Sequence, residues 1–325
     1  MPALAGRLAP SPTGAQHVGN ARTYLLAWLA IRSRGGRLLL RMEDIDSPRI
    51  KPWAAQQALD DLRWLGLDWD AGPDTGGPDA PYVQTQRLES YAAALQILRD
   101  AEQIYPCTCT RSDIAAAASA PHAGQEGPVY PGTCAGRTAA AARTLNVPFC
   151  WRWRTNPTRA PFVFQDAVAG QQTCQLANEL GDFVICKHDG TPSYQLAVVL
   201  DDHAMGVTEV LRGDDLIPST FRQLAIYEFF GWTPPAHAHV PLVIGSDGRR
   251  LAKRHGDTRI SLLREQGHGP ERLLGLLAWS CGLLRGPAPV SAHDLIADFD
   301  LARVPHQPFV LTEELWRSVG GPPES

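Results

Sequence analysis

No stretch of this 325-residue chain is apolar for the length of a membrane span; the longest candidate, residues 24–31, falls well short. The start, Met1-Pro2-Ala3-Leu4-Ala5-Gly6-Arg7, lacks the basic-then-apolar layout of a secretory signal. Basic residues are not in excess: 30 Lys and Arg stand against 34 Asp and Glu, a formal net charge of −4. That argues against a dedicated non-specific nucleic-acid binder, although a local basic face can still bind RNA. Cysteines number seven, an odd count, and without an export signal a disulfide framework is not expected. Internal repeats and coiled-coil heptads are also missing. These absences leave a cytoplasmic globular protein of ordinary composition, 44% hydrophobic and 20% charged, with length for two or three domains.

What is present begins with alternating strand and helix signals. Arg7-Leu8-Ala9 is a short strand candidate ended by Pro10, and a Pro/Gly-rich turn follows. An amphipathic helix is expected from His17 to Arg34, stopped by Gly35-Gly36. The apolar run Arg37-Leu38-Leu39-Leu40-Arg41-Met42 suits a buried parallel strand. Strand, helix and strand in about 40 residues make a βαβ unit, the building block of a doubly wound sheet. Residues 52–65 and 87–102 read as further helices.

From residue 105 to 189 the alternation is lost. Alanine-rich pieces and Pro/Gly loops appear, with Trp151-Arg152-Trp153-Arg154 patterned like a half-buried strand. The core pattern then resumes. Residues 183–186 run into the turn Asp189-Gly190, and apolar segments at 196–200 and 207–211 flank Asp201-Asp202-His203. A helix is expected at 221–230 and a short buried strand at 241–245; everything after Asp257 reads as helical. The expected fold is therefore α/β, a doubly wound parallel-sheet, Rossmann-type core. Residues 1–104 and 190–257 form its halves, 105–189 an inserted α+β domain, and 258–325 a small C-terminal helical region.

The most informative stretch is Arg7-Leu-Ala9-Pro-Ser11-Pro-Thr-Gly-Ala-Gln-His17-Val-Gly19-Asn20. A strand end, a Pro/Gly loop and a helix start present unpaired N–H groups and a positive dipole end, which suits phosphates. His17 is placed to donate to a phosphate oxygen, and Gly19 leaves room beside the backbone for a base or ribose. The stretch resembles the "HIGH" region of class I aminoacyl-tRNA synthetases in its glutamyl form, and the resemblance continues for most of the chain. Residues 40–46 match the second strand and its acidic loop; residues 189–214 match the segment closing the amino-acid pocket. The second signature, "KMSKS", appears as Arg250-Leu251-Ala252-Lys253-Arg254, with Arg250 for the first lysine and Ala252 for the serine. Slower activation follows from those changes, since Arg keeps the charge without the compact ammonium.

The resemblance implies the site. His17, Asn20 and Lys253 are the catalytic candidates, and His17, Gly19, Asn20, Arg250 and Lys253 bind ATP with its magnesium. Arg7, Arg212 and the Tyr194 hydroxyl hold the side-chain carboxylate of glutamate, while Glu43 and Ser11, beside Ala9, hold its ammonium. Such a set rejects glutamine, whose amide N–H groups would face donors. The α-carboxylate then attacks the α-phosphorus and pyrophosphate leaves, helped by positioning and charge stabilisation.

Cys107-x-Cys109 and Cys134 can reach one tetrahedral ion. A fourth Cys or His is the usual completion, and His122 is the conventional candidate; reduced thiols without metal are the alternative. Within the family, the Tyr130-x-x-x-Cys134 spacing resembles the shortened glutamyl-queuosine tRNA(Asp) synthetases, which implies one structural Zn2+ on Cys107, Cys109, Tyr130 and Cys134. Residues 254–325 leave room for a small helical bundle but not for an anticodon-binding domain. By the same resemblance, the expected acceptor is queuosine in the anticodon arm of tRNA(Asp), and the expected state a monomer without membrane contact. Two further readings remain: a truncated synthetase charging tRNA(Glu), and a non-catalytic synthetase-like RNA-binding protein, motivated by Arg250 and Ala252.

Overall fold

A computed structural model describes residues 3–45, 49–117, 128–249, 251 and 257–322. Strand β1 (Ala5–Leu8) leads through a loop into α1 (Val18–Arg32), and the chain returns as β2 (Arg37–Leu40). The two strands pair in parallel, from Ala5↔Arg37 to Leu8↔Leu40, so the expected βαβ unit forms; α1 and β2 end a residue or two inside the bounds read from sequence, while β1 begins two residues before Arg7. Leu25, Leu26, Trp28 and Leu29 of α1 are fully buried; a helix apolar on so many sides lies inside the molecule. Trp28 satisfies its indole by donating to Asp68 Oδ1 at 2.7 Å. Gly6 lets α1 lie on β1, since a Cβ there would stand 2.5 Å from Ile31.

The chain continues with α2 (Ala54–Trp64), α3 (Leu88–Asp100), β3 (Ile104–Cys107), α4 (Arg111–Ala117), β4 (Cys150–Trp153), β5 (Phe162–Asp166), β6 (Gly170–Cys174), α5 (Leu176–Glu179) and β7 (Val184–Cys186). Strands β3, β4 and β7 form an antiparallel sheet. Strand β4 corrects the half-buried reading of Trp151–Arg154 made from its alternation. Both Arg152 and Trp153 are buried, because the Arg152 guanidinium lies over the Tyr130 ring, 4.0 Å from its centroid, while Trp153 stacks on Phe183.

Next come α6 (Tyr194–Ala204), β8 (Glu209–Gly213), α7 (Ile217–Phe230), β9 (Ala236–Val240) and β10 (Val243–Ile244). The apolar segment at 196–200 is thus the body of a helix. Strands β8 and β9 pair in parallel, and β5 joins β9 at Asp166↔His237, which brings the β5–β6 hairpin onto the same sheet. On the other side β1 lies along β8, with the Thr208 N–H donating to Ala5 O at 2.9 Å. Alternation sorts the strand residues. Leu8, Leu38, Leu40, Leu211 and Ala238 pack with α1 in one core; Arg7, Arg212 and His239, one position away, face α6 and α7. Helices on both faces of a largely parallel sheet make the molecule mixed α/β.

The last part holds α8 (Ile260–Glu265), α9 (Glu271–Ser280), β11 (Phe309–Val310) and α10 (Glu313–Ser318). It is not uniformly helical as expected: β11 pairs in parallel with β10, because Phe309 N–H and Leu311 N–H bond to Leu242 O and Ile244 O. Among the described residues no helix is long and apolar enough to cross a membrane.

Helix α8 meets α2 at a buried acid. Asp61 is 1% exposed, and Arg264 Nη2 lies 3.2 Å from its Oδ1. Burial pushes the Asp61 carboxyl up to about 6, against the pull of Arg264 and with a further push from Asp60. A raised acid favours the folded state below the ordinary carboxylate range, and that advantage is lost as pH rises through about 6. Asp61→Asn is therefore expected to raise Tm by about 2 °C or more at pH 8 and to leave it unchanged near pH 4, read by calorimetry.

Candidate active site

The carboxyl ends of β1 and β8 and the start of α1 open onto one cleft of about 460 Å3, the edge at which parallel α/β sheets bind ligands. Arg7, Ala9, Ser11 and Glu43 line it from the β1 and β2 side. His17 and Asn20 line it from α1, Tyr194 from the first turn of α6, and Arg212 from β8. Residues spread over more than 200 positions of sequence thus share one wall.

His17 is the N-cap of α1. Its Nδ1 accepts the Gly19 N–H at 3.1 Å, and its own N–H donates to Asn20 Oδ1 at 3.1 Å, a reciprocal capping box. An accepting Nδ1 puts the proton of a neutral imidazole on Nε2, a donor. The sequence suggested unpaired N–H groups here; instead the protein uses them, since Val18 N–H donates to Thr258 O and Gly19 N–H to His17. Nor is the space beside Gly19 empty: a Cβ there would stand 2.9 Å from the His17 ring and 3.5 Å from Val243. The glycine makes room for the capping imidazole. Arg250 and Lys253 lie outside the described residues, as does His122. Val243 and Thr258, before and after Arg250 and Lys253 in sequence, both meet the start of α1.

Arg212 is 5% exposed and bonded to four neutral acceptors. Its Nε donates to His239 Nε2 at 3.1 Å, Nη1 to Tyr194 Oη at 3.2 Å, and Nη2 to Thr220 Oγ1 at 2.6 Å and Gln223 Oε1 at 2.8 Å. Arg7 differs, with Nε 3.4 Å from Asp202 Oδ1. Arg41, fully buried, joins two acids: Nη1 reaches Asp202 Oδ1 at 2.6 Å and Nη2 reaches Glu43 Oε1 at 2.9 Å. Burial pushes the Glu43 carboxyl above its usual range, despite Arg41 and Arg7. At Asp202 burial acts the same way, but Arg41 and Arg7 more than offset it and hold the carboxyl below its usual range. Asp201 accepts from Arg87 Nε at 2.6 Å, Gln84 Nε2 at 2.9 Å and Tyr91 Oη at 2.8 Å. Among the described residues Arg212 has no carboxylate contact, and it lines the same cleft as the buried, arginine-braced Glu43, which suits a ligand carrying both charges.

Residues 3–310 match the family described as tRNA synthetases class I (E and Q), catalytic domain. The chain belongs to the class I glutamyl-tRNA synthetase family. A curated Glutamyl-Q tRNA(Asp) synthetase of Rhodopirellula baltica is 52% identical over 94% of this chain and 96% of its own. Another, of Symbiobacterium thermophilum, is 48% identical over 98% of this chain and 99% of its own. A glutamate tRNA ligase of Elizabethkingia meningosepticum, crystallised in complex with its amino acid, superposes with a TM-score of 0.81 at 28% identity, covering 96% of this chain and 68% of that one. The fold is the class I synthetase catalytic fold. As an aminoacyl-tRNA synthetase-family ligase, the chain takes ATP, an amino acid and tRNA.

Away from the cleft of this synthetase, β3 ends in a cluster of thiols. The Sγ atoms of Cys107, Cys109 and Cys134 lie within 4.8 Å of one another, and all seven cysteines are free. Cys109 Sγ and Cys134 Sγ are 3.7 Å apart, and Tyr130 Oη lies 3.3 Å from Cys107 Sγ and 3.6 Å from Cys109 Sγ. Thiolates on a tetrahedral zinc stand about 3.8 Å apart, and a thiolate and an oxygen about 3.5 Å. These three thiols could bind a metal, and the three separations given are close to those values.

Several residues now in or behind the cleft carried no role in the sequence reading: Arg41, Asp201, Asp202, Asp166, His237 and His239. The first three had a readable signal. Two adjacent acids at the end of an apolar helix, and an arginine in a buried strand, need partners inside the protein.

Proposed function

We propose that this chain activates glutamate with ATP, without tRNA, and then transfers it to the queuosine base at the wobble position of tRNA(Asp). The observation that carries the reading is the likeness, over nearly the whole length of both chains, to proteins named Glutamyl-Q tRNA(Asp) synthetase; the charge layout of the cleft agrees with it.

In this reading Arg212, Arg7 and Tyr194 receive the side-chain carboxylate, and Glu43 with Ser11, beside Ala9, the ammonium. The α-carboxylate oxygen attacks the α-phosphorus of ATP, and the bond to the bridging oxygen breaks to release pyrophosphate. His17 Nε2–H, Asn20, Gly19, Arg250 and Lys253 serve the nucleotide, whose phosphates bring Mg2+. A hydroxyl of the queuosine cyclopentene-diol then attacks the activated carbonyl, loses its proton, and AMP leaves. Residues 1–104 and 190–257 supply the core, to whose sheet the β5–β6 hairpin of the 105–189 stretch is added, 258–325 form the C-terminal region, and the protein acts as a cytoplasmic monomer.

The insertion, 105–189, is braced by one Zn2+ on Cys107, Cys109, Cys134 and Tyr130. Cys109→Ser is expected to reduce bound zinc from one per chain to a trace, by metal analysis. It should also lower Tm by several degrees while glutamate activation falls less than about tenfold. Equal zinc content in variant and parent would remove Cys109 from the ligand set.

Incubation with labelled glutamate and ATP tests the acceptor. Label should pass to tRNA(Asp) carrying queuosine and not to tRNA(Asp) without it. Charging of tRNA(Glu) instead would overturn the reading.

A further inference from the structure

Behind Arg212 stands a pair of residues that does not line the cleft. Asp166, at the end of β5, and His239, on β9, are 2% and 1% exposed. His239 Nδ1 lies 2.6 Å from Asp166 Oδ2. The other carboxylate oxygen, Oδ1, accepts three backbone N–H groups: His239 at 3.0 Å, Val168 at 3.0 Å and Ala169 at 2.8 Å. Those bonds fix the carboxylate plane, and Oδ2 then has one thing to hold, the imidazole. With Nδ1–H donating to Asp166, Nε2 presents a lone pair, and it is Nε2 that meets Arg212 Nε at 3.1 Å, with Thr220 Oγ1 also 3.0 Å away.

The chemistry of this contact is selective. Had Asp166 touched the guanidinium directly, it would have cancelled the charge that a ligand carboxylate needs. Interposing a neutral imidazole holds the guanidinium without that cancellation. Burial keeps His239 neutral against the pull of Asp166, with the Arg212 charge acting in the same direction as burial. His237, stacked parallel to His239 at 5.8 Å, is likewise held neutral, at about 3, by burial and by Arg212. Of the five N–H donors of a guanidinium, four are spent on neutral acceptors of the protein, leaving one on Nη1, the nitrogen that also meets Tyr194 in the cleft wall.

We infer that Asp166 and His239 are positioning residues that set the preference for an acidic over an amide side chain, by holding Arg212 oriented and uncancelled through an imidazole of fixed tautomer. The inference rests on the reading that the cleft takes glutamate.

Asp166→Asn tests it most sharply. The asparagine oxygen can keep the three backbone bonds, but its NH2 then faces His239 Nδ1, which drives the proton to Nε2 and sets two N–H groups head to head with Arg212. Long-range 1H–15N spectra should show the Nδ1–H form in the parent and the Nε2–H form in the variant. In glutamate-dependent ATP–pyrophosphate exchange the variant should show a KM for glutamate raised about tenfold or more. Its ratio of kcat/KM for glutamate over glutamine should fall about tenfold, and its KM for ATP should stay unchanged. His239→Gln, whose amide can donate to Asp166 and accept from Arg212, should keep most of the preference; His239→Leu should lose it. If Asp166→Asn does not fold, the His239 pair decides. A folded Asp166→Asn with the parental glutamate-to-glutamine ratio, or equal ratios for the Gln and Leu variants, would overturn the inference. A parent protein that does not use glutamate at all would instead fell the reading of the cleft.

Discussion

Arg212→Ala is expected to lower kcat/KM for glutamate in ATP–pyrophosphate exchange by about a hundredfold to a thousandfold, the effect of removing one partner of a buried charge pair. Two losses combine. The ligand carboxylate loses a cation that, among the described residues, has no protein carboxylate against it, and Tyr194 Oη loses its donor at 3.2 Å. Behind it the buried Gln223 Oε1 loses its donor, at about 1–3 kcal/mol where nothing replaces it, while His239 Nε2 and Thr220 Oγ1, 3.0 Å apart, keep each other. Arg212→Lys should recover little, because a single ammonium cannot reach acceptors arranged around three nitrogens. Arg7→Ala should cost less than Arg212→Ala, since Asp202 at 3.4 Å already offsets part of its charge. Equal losses at both positions would mean that the two guanidinium groups share the ligand evenly.

The second large effect is on the fold. Arg41 is completely buried between Asp202 and Glu43, with Asp201 3.8 Å from its Nε. Arg41→Ala would take from Glu43 its ion pair and from Asp202 the nearer of two arginines, leaving Arg7 at 3.4 Å, a change that costs about 3–5 kcal/mol where one partner of a buried ion pair is removed. A urea midpoint well below that of the parent at pH 7.5 is the expected reading. The gap should narrow toward pH 5, because a buried carboxylate that has lost its nearest cation takes up a proton more readily. Glu43, which burial already pushes up, should do so first. Activity should fall with it, since Glu43 then lacks the bond that orients it toward the cleft. A variant as stable as the parent across that range would show the network to be dispensable.

Both predictions concern residues that the sequence exposes unequally. The loop from Arg7 to Asn20, with Glu43, Tyr194 and Arg212, is legible because its spacing follows a shared pattern, and the βαβ unit is legible because apolar periodicity carries it. Arg41 and Asp202 leave a trace, as charges in apolar segments. Asp166 and His239 leave almost none. They are 73 positions apart and meet only because β5 pairs with β9 at a single bridge. The strand itself, Ala-His-Ala-His-Val, turns its polar side chains toward a buried polar layer, so the rule that alternation means one wet face fails there. Arg152 misleads in the same way, being buried against Cys107 and Tyr130. The capping box at His17 was readable in kind, as His-x-x-Asn at a helix start. Its consequence was not: the first N–H groups of α1 are engaged by Thr258 and by His17 itself. Those two N–H groups are therefore spent within the protein, and the dipole of α1 remains as the feature of this end that favours an anion.

The account turns on amino-acid activation in this cleft in the absence of RNA, and glutamate-dependent exchange of labelled pyrophosphate into ATP measures it directly. Purified protein with glutamate, ATP and magnesium, free of tRNA, should incorporate label, and glutamine should support far less. No incorporation, or incorporation only once a tRNA is added, would contradict it.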